Sequence, residues 1–200
     1  MQVKNYKKRI IDEKIERYLK LFGAVVIEEP KYCGKTWTAR YHANSEALLY
    51  DGTGEKSNNA TLAQISPNIV LEGEKPRLID EWQVATNLWD AIRYDVDKTG
   101  LKEQYILTGS STPYREEINH SGAGRYGKIR LRPMSLFESG DSSGVVSLND
   151  ICDGKDISLA TREVDLRHLA ELIKCPIYGI FLLYFYFKKN KTMKIFRFMI

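Results

Sequence analysis

A glycine, a lysine and a threonine follow one another shortly after an apolar run ends. The run extends from Ala24 to Ile27, and the three residues are Gly34, Lys35 and Thr36. In this order they can bind a polyphosphate. Glycine lets the backbone approach the oxygens, a lysine ammonium bridges the β- and γ-phosphates, and a threonine hydroxyl ligates Mg²⁺. The pattern therefore predicts a phosphate-binding loop of the Walker A type between a buried strand and a helix.

The residues beside this tripeptide are expected to share in the binding. Backbone N–H groups of residues 31–36 should face one concavity and donate to phosphate oxygens. The predicted nucleotide-binding set therefore also contains Lys31, Cys33 and Trp37. A chance Gly-Lys-Thr at a helix start is the alternative, and it would occur in roughly one chain of this length in ten. Further motifs must decide between the two.

Two acids end a second apolar run, Arg77-Leu78-Ile79-Asp80-Glu81. At the end of a buried strand, Asp80 would hold Mg²⁺ through its water shell and Glu81 would polarise an attacking water, as in a Walker B motif. Paired acids at strand ends are also common on protein surfaces. The spacing from Lys35, with a further strand between, is typical of the additional-strand class of P-loop ATPases. The two motifs together favour a nucleotide site.

A third group of polar residues follows the apolar run Tyr105 to Leu107. In the additional-strand class a polar residue at this place, called sensor 1, contacts the γ-phosphate or the attacking water, and Thr108 and Ser110 both qualify. An ordinary polar turn is the alternative. Arg125 follows a glycine-rich stretch and is a candidate arginine finger for the γ-phosphate of a neighbouring subunit. The alternative for Arg125 is a basic surface residue.

Hydrophobic periodicity places these motifs on alternating helices and strands. Strands are predicted at 24–28, 47–50, 77–80, 104–108 and 127–131, and helices at 6–21, within 29–43, at 60–65, 84–98 and 165–174. Gly23 is expected to end the first helix, and 57–59 to be loop. The alternation predicts an α/β fold, a three-layer sandwich around a mainly parallel five-stranded sheet. The predicted division is an N-terminal helix in 1–22 and one domain over 23–174.

Bulk composition narrows the functional classes. The net charge of +4 makes no strong case for nucleic acid, although it does not exclude weak contact, and a protein partner cannot be read from the sequence. The three cysteines and three histidines are scattered, so neither a zinc site nor a disulfide framework is predicted. The first five residues have no apolar core of a signal peptide, and a reducing cytoplasm is the expected compartment.

Residues 175–200 differ abruptly from what precedes them, because they are mostly aromatic, aliphatic and lysine residues. The apolar run at 177–187 is shorter than the roughly twenty residues that a membrane-spanning helix needs. A buried strand or a membrane-surface segment is one interpretation. A frameshift after Lys174 is preferred, since AT-rich DNA encodes such residues in any frame.

Six segments taken in order resemble a prokaryotic family of AAA+ ATPases that carry a C-terminal nuclease-like domain of unknown function. They are EEPKYCGKTWTARYHA, LEGEKPRLIDEWQ, WDAIRYDVDK, ILTGSSTP, HSGAGR and RLRPMSLFESG, within residues 5–174. The resemblance implies an AAA+ P-loop fold, ATP and Mg²⁺. It assigns Lys35 and Thr36 to phosphate and metal, Asp80 and Glu81 to metal and hydrolysis, and sensing to the polar end of the fourth strand.

The chain departs from that family in two places, and these departures qualify the function that the resemblance implies. The family has glycine where this chain has Glu29, and it continues past residue 174 into Gly-Gly-Trp-Pro and a further domain, so the chain is expected to be a truncated relative. The expected activity is Mg-ATP binding with slow hydrolysis that drives a conformational change. A non-catalytic nucleotide-binding remnant or regulatory module is the alternative. Because AAA+ relatives often form rings, a homo-oligomer is expected by analogy.

Replacing Glu29 by glycine is expected to strengthen Mg-ATP binding. The substitution removes a carboxylate from the neighbourhood of triphosphate oxygens and restores the backbone freedom of glycine. Titration calorimetry of the two proteins under the same salt measures the difference. Equal affinities would show that Glu29 does not weaken the site.

Overall fold

The structure is a computed structural model that describes residues 5–28, 33–49, 57–109 and 122–156. The chain forms two compact units, Met1–Arg132 and Pro133–Ile200, and each is described by itself. The boundary between them falls inside the segment 23–174 that the sequence assigns to one domain. Several predicted features lie outside the described residues: Glu29, Lys31, Ser110, the helix at 165–174 and the tail at 175–200.

The first unit alternates helices and strands. Its elements are α1 (Asp12–Leu21), β1 (Ala24–Glu28), α2 (Lys35–His42), β2 (Ser45–Leu48), α3 (Ser57–Ile65), α4 (Pro67–Leu71), β3 (Arg77–Asp80), a 3₁₀ turn (Trp82–Val84), α5 (Asn87–Thr99), β4 (Tyr105–Gly109) and β5 (Tyr126–Arg130). All five strands form one sheet in the order β2-β3-β4-β1-β5, and every neighbouring pair is parallel. The prediction of an α/β fold with a mainly parallel five-stranded sheet is confirmed.

The order of the strands places one strand between the two that carry the main motifs. β1 leads to the predicted phosphate loop, β3 ends in Asp80, and β4 lies between them. In this register Thr108 of β4 is paired with Ile27 of β1 on one side and with Asp80 of β3 on the other. The polar end of β4 therefore lies between the two motifs in the sheet.

Both faces of the sheet are covered, which makes the three layers. Val25 and Ile27 of β1 belong to the core that contains side chains of α1 and α2. Ala24 and Val26 belong to the opposite core, with side chains of α3, α4 and α5. Burial on both faces explains why β1 reads as a continuous apolar run rather than an alternating one. Each fully buried aliphatic side chain contributes about 1.5 to 3 kcal/mol to stability.

The predicted boundaries of α1, α3 and β2 were partly wrong. α1 begins at Asp12, not at residue 6, although the apolar spacing continues upstream. α3 begins at Ser57, where turn-forming residues predicted a loop, but it ends at Ile65 as predicted, and the unpredicted helix α4 begins at Pro67. Proline is favoured there because the first helical residue has no intrahelical partner for its N–H. β2 covers 45–48 rather than 47–50 and is an edge strand whose alternation is weak.

Gly23 follows the C-terminal end of helix α1, close to where the sequence predicts that the helix ends. Helix α1 closes with the N–H of Phe22 donating to the carbonyl of Tyr18, and Gly23 is not among the residues with positive φ. A Cβ on Gly23 would instead lie 2.3 Å from Cγ1 of Val96 in α5. Close packing of the β1 entrance against α5 therefore requires the glycine.

The second unit contains two short helices over its described residues, α6 (Leu136–Ser139) and α7 (Leu148–Cys152). Each begins with a capping box, in which a serine hydroxyl accepts from the third helical N–H and an acidic side chain accepts from the serine N–H. Neither helix was predicted, because four or five residues are too few to show a period. No helix in the described part of the chain is long and apolar enough to cross a membrane.

Replacing Gly23 by alanine is expected to destabilise the protein by about 1 to 3 kcal/mol, the usual cost of overpacking a core. Denaturant unfolding measures the loss. The double variant Gly23→Ala/Val96→Ala is the control, because a smaller residue at 96 makes room for the added methyl. The double variant should therefore be more stable than the sum of the single effects predicts. Strict additivity would refute the steric explanation.

Candidate functional site

The carboxyl ends of β1, β3 and β4 meet at one edge of the sheet, where the predicted site residues lie. Beyond β1, Gly34 immediately precedes α2 and has φ 90° and ψ 20°, a left-handed conformation that favours glycine. Lys35 and Thr36 are the first two residues of α2. The N–H groups of a first helical turn have no intrahelical acceptor and carry the positive end of the helix dipole. This end of α2 is therefore suited to an anion.

Asp80 is the centre of the cluster. The Thr36 hydroxyl lies 3.0 and 3.1 Å from the two carboxylate oxygens of Asp80, and the Thr108 hydroxyl donates to Oδ1. Thr108 is fully buried and Asp80 is 8% exposed. The structure thus brings together one residue from each of the three predicted motifs: the phosphate loop, the acidic strand end and the polar end of β4.

Burial raises the pKa of Asp80 above its usual value. The hydroxyl donors Thr108 and Thr36 lower the pKa and so oppose burial, the carboxylate of Glu81 adds to the rise, and Arg40 lowers it. A partly desolvated carboxylate has a strong electrostatic preference for a cation. With the Thr36 hydroxyl it forms the hard oxygen donor set that Mg²⁺ prefers, and Mg²⁺ commonly takes only one or two carboxylates beside water and phosphate.

Other metals fit the described residues less well. No group of three or more histidine, cysteine, aspartate or glutamate side chains that could hold a metal ion occurs in the part of the chain that the structure describes. Cys33 is buried and Cys152 is exposed, and no disulfide joins these two described cysteines. A protein cage for zinc or calcium is therefore not found there, whereas a site completed by phosphate oxygens needs no such cage.

Glu81 has an unusual backbone conformation. Its φ of 58° and ψ of 44° are left-handed, which costs a residue with a side chain about 1 to 3 kcal/mol. The side-chain amide of Gln83, in the 3₁₀ turn that follows, donates to the Glu81 carboxylate. The Gln83 carbonyl oxygen is buried without a hydrogen-bond partner among the described residues, close to Gly109 at the end of β4. Sequence reasoning missed Gln83, because one polar residue two positions after an acid carries no pattern.

The remaining predicted residues lie in different surroundings. The Lys35 side chain is buried. Trp37 points outward, with about half of its surface exposed and the Arg40 guanidinium 5.9 Å from its ring centre. Arg125 immediately precedes β5, at the sheet edge opposite Asp80, and pairs with Asp97 at 2.7 Å. Arg125 is therefore not part of the cluster around Asp80 in the same chain.

The family follows from a comparison of the sequence with family models. A model described as "AAA domain" matches residues 22–139, which is more than half of the chain. The chain belongs to the AAA domain family. The match begins just before β1 and includes all five strands of the sheet. The AAA-type P-loop fold expected from the motifs is thereby confirmed.

Two solved structures illustrate how the AAA domain compares with known proteins. The first, "Crystal structure of FIGL-1 AAA domain in complex with ADP", has 14% identity and a TM-score of 0.39, and covers 82% of this chain and 63% of that one. The second, "Structure of C. elegans PCH-2", has 13% identity and a TM-score of 0.34, and covers 73% and 50%. The chain thus spans less than two thirds of either. A search of curated protein sequences finds no match.

Replacing Asp80 by asparagine is expected to stabilise the protein at neutral pH without metal or nucleotide. Because the folded state raises the pKa of Asp80 above 3.8, the wild type loses stability as pH rises through that folded pKa. The variant has no such loss. Its melting temperature at pH 7 should be higher by about 2 to 4 °C for each kcal/mol removed, and the difference should shrink as pH falls toward 4.

The exposed Glu72 offers a matched control, since Glu72→Gln removes one carboxylate from the surface. It should leave the melting temperature nearly unchanged at both pH values. A lower melting temperature for Asp80→Asn at pH 7, or a difference independent of pH, would contradict the assignment of a costly buried charge.

Proposed function

We propose that this chain binds Mg-ATP at the carboxyl edge of its sheet and hydrolyses it slowly to drive a conformational change. The observation that carries the proposal is the convergence of Thr36 and Thr108 on the buried Asp80, beside Gly34 and Lys35 at the start of α2. Membership of the AAA domain family supports the same conclusion.

The binding roles follow from the chemistry of each group. N–H groups at the start of α2 would donate to phosphate oxygens, and the Lys35 ammonium would neutralise the β- and γ-phosphates. The Thr36 hydroxyl and the Asp80 carboxylate would hold Mg²⁺, which polarises the phosphoryl group when bound. Cys33 and Trp37, together with Lys31 outside the described residues, would complete the walls of the nucleotide site.

The catalytic roles fall to the acid after Asp80 and to the polar end of β4. The Glu81 carboxylate would accept a proton from the attacking water, and Thr108 and Ser110 would report the presence of the γ-phosphate. Arg125 lies at the other edge of the sheet. It would act on the nucleotide of a neighbouring copy, which requires a homo-oligomer.

A non-catalytic nucleotide-binding module is the second candidate. It is favoured by the hydrogen bond between Gln83 and Glu81, which occupies the carboxylate that hydrolysis needs. Glu29, in place of the family's glycine, also weakens the case for efficient turnover. The two candidates share the binding site and differ only in whether phosphate is released.

Substitutions at Glu81 and Lys35 separate binding from turnover. Glu81→Gln should retain Mg-ATP binding and lower phosphate release by about 100-fold or more, because general-base assistance is lost. Lys35→Ala should abolish both, since the cation facing the phosphates is removed. Calorimetry and a phosphate-release assay on the same preparations measure the two effects.

Lys98→Ala is the matched control, because Lys98 is exposed in the last turn of α5. It should behave like the wild type in both assays. Phosphate release that survives in Glu81→Gln would point to a contaminating enzyme, and its absence in the wild type would favour the non-catalytic module. If Lys35→Ala binds ATP as well as the wild type does, the proposed site is wrong.

A further inference from the structure

Arg9 precedes α1 in the chain, and its buried side chain contacts the backbone of Cys33 in the loop before α2. The Arg9 side chain is 5% exposed, and its guanidinium donates to two backbone carbonyls. Nη1 lies 3.3 Å from the carbonyl oxygen of Cys33, and Nη2 lies 2.8 Å from that of Arg132. Cys33 belongs to the loop before α2, and Arg132 follows β5. One side chain therefore joins the loop to the backbone beyond the edge strand.

The backbone of Arg9 is itself held by a buried acid. Asp12 is fully buried and accepts the N–H of Arg9 at 2.7 Å and the Tyr6 hydroxyl at 2.8 Å. Its Oδ1 also lies 3.1 Å from Nε2 of His42, the last residue of α2. Burial opposes the charge of Asp12, but the hydrogen bonds from His42, Arg9 and Tyr6 lower its pKa below the usual value. Asp12 thus anchors the segment before α1 to the far end of α2.

The contact with Cys33 determines where the next N–H points. The carbonyl of Cys33 and the N–H of Gly34 belong to one planar peptide unit and point in opposite directions. Fixing the carbonyl toward Arg9 therefore directs the Gly34 N–H away from it. A carbonyl that accepts from a guanidinium is polarised, and its peptide N–H becomes a stronger donor.

Space around Gly34 agrees with this arrangement. A Cβ on Gly34 would lie 3.6 Å from Nη1 of Arg9, in ordinary contact. The guanidinium thus packs against the glycine whose left-handed conformation starts α2. Without the Arg9 guanidinium, the peptide between Cys33 and Gly34 would lose a hydrogen bond from a charged donor. That hydrogen bond selects one of the two orientations of the peptide.

We infer that Arg9 is a positioning residue of the phosphate site, which holds the Cys33–Gly34 peptide with its N–H directed at the bound phosphates. The inference rests on the nucleotide site proposed above. It adds a residue outside the Walker motifs, and it gives the segment before α1 a part in anion binding. Arg9 itself does not contact the nucleotide.

Competition binding on the full chain tests the inference. A fluorescent ATP analogue is displaced by ATP and, separately, by tripolyphosphate, which has phosphates but no base. Arg9→Met keeps much of the side-chain volume and removes the guanidinium. It should weaken both competitors by about ten-fold or more, the scale expected for losing a hydrogen bond from a charged donor. Arg9→Lys keeps the positive charge without the guanidinium, and its affinity for both competitors should lie between those of the wild type and Arg9→Met.

Arg17→Met is the matched control, because Arg17 is exposed on α1 and its loss changes the net charge equally. It should bind both competitors as the wild type does. Affinities of Arg9→Met and Arg9→Lys that equal the wild type, or a loss for ATP without a loss for tripolyphosphate, would overturn the inference. A melting temperature for each variant identifies any that fails to fold, and Arg9→Lys then decides.

Hydrogen exchange separates this inference from the proposed function. If the wild type binds no nucleotide, the proposed function fails, and exchange at residues 33–36 of the nucleotide-free protein becomes the deciding measurement. Faster exchange there in Arg9→Met than in Arg17→Met would support the positioning role. Equal exchange in the two variants would overturn it.

Discussion

The candidate site of this AAA domain is centred on one buried carboxylate that two hydroxyl groups approach from different elements. Asp80 ends β3, Thr36 lies in the first turn of α2 and Thr108 comes from β4. A charge in this position is costly unless donors or a cation compensate it. The two threonines supply part of that compensation, and they also hold the phosphate-loop helix against the centre of the sheet. The same carboxylate and hydroxyl oxygens thus contribute both to the packing of the fold and to a site suited to a cation.

The parallel arrangement of the strands brings these three side chains together. Because β1, β3 and β4 run in the same direction, their carboxyl ends and the turns that follow them lie along one edge. Apolar side chains on both faces fix the register, so Asp80 is level with Thr108 across the sheet. The register of the sheet therefore positions the residues of the site. Arg9, in the segment before α1, also holds the loop before α2 through the carbonyl of Cys33.

Much of this could be predicted because it depends on local pattern. β1 and β3 are short apolar runs with chemical groups directly after them, so both the strands and their motifs could be located. The start of α3 and the existence of α4 could not, because Ser57 and Pro67 are compatible with turns as well as helix starts. Arg9 and Gln83 were missed for another reason. Their partners are backbone carbonyls and an acid brought near by folding, and no spacing in the sequence records such contacts.

Glu81 carries a consequence for how this protein tolerates change. Its left-handed backbone is a conformation that glycine or asparagine adopts at lower cost. Selection for stability alone would therefore replace the glutamate, and the folded protein would gain from the exchange. A carboxylate that remains there is kept against the preference of its own backbone. At position 81 the stability of the fold and the presence of an acid therefore favour different residues.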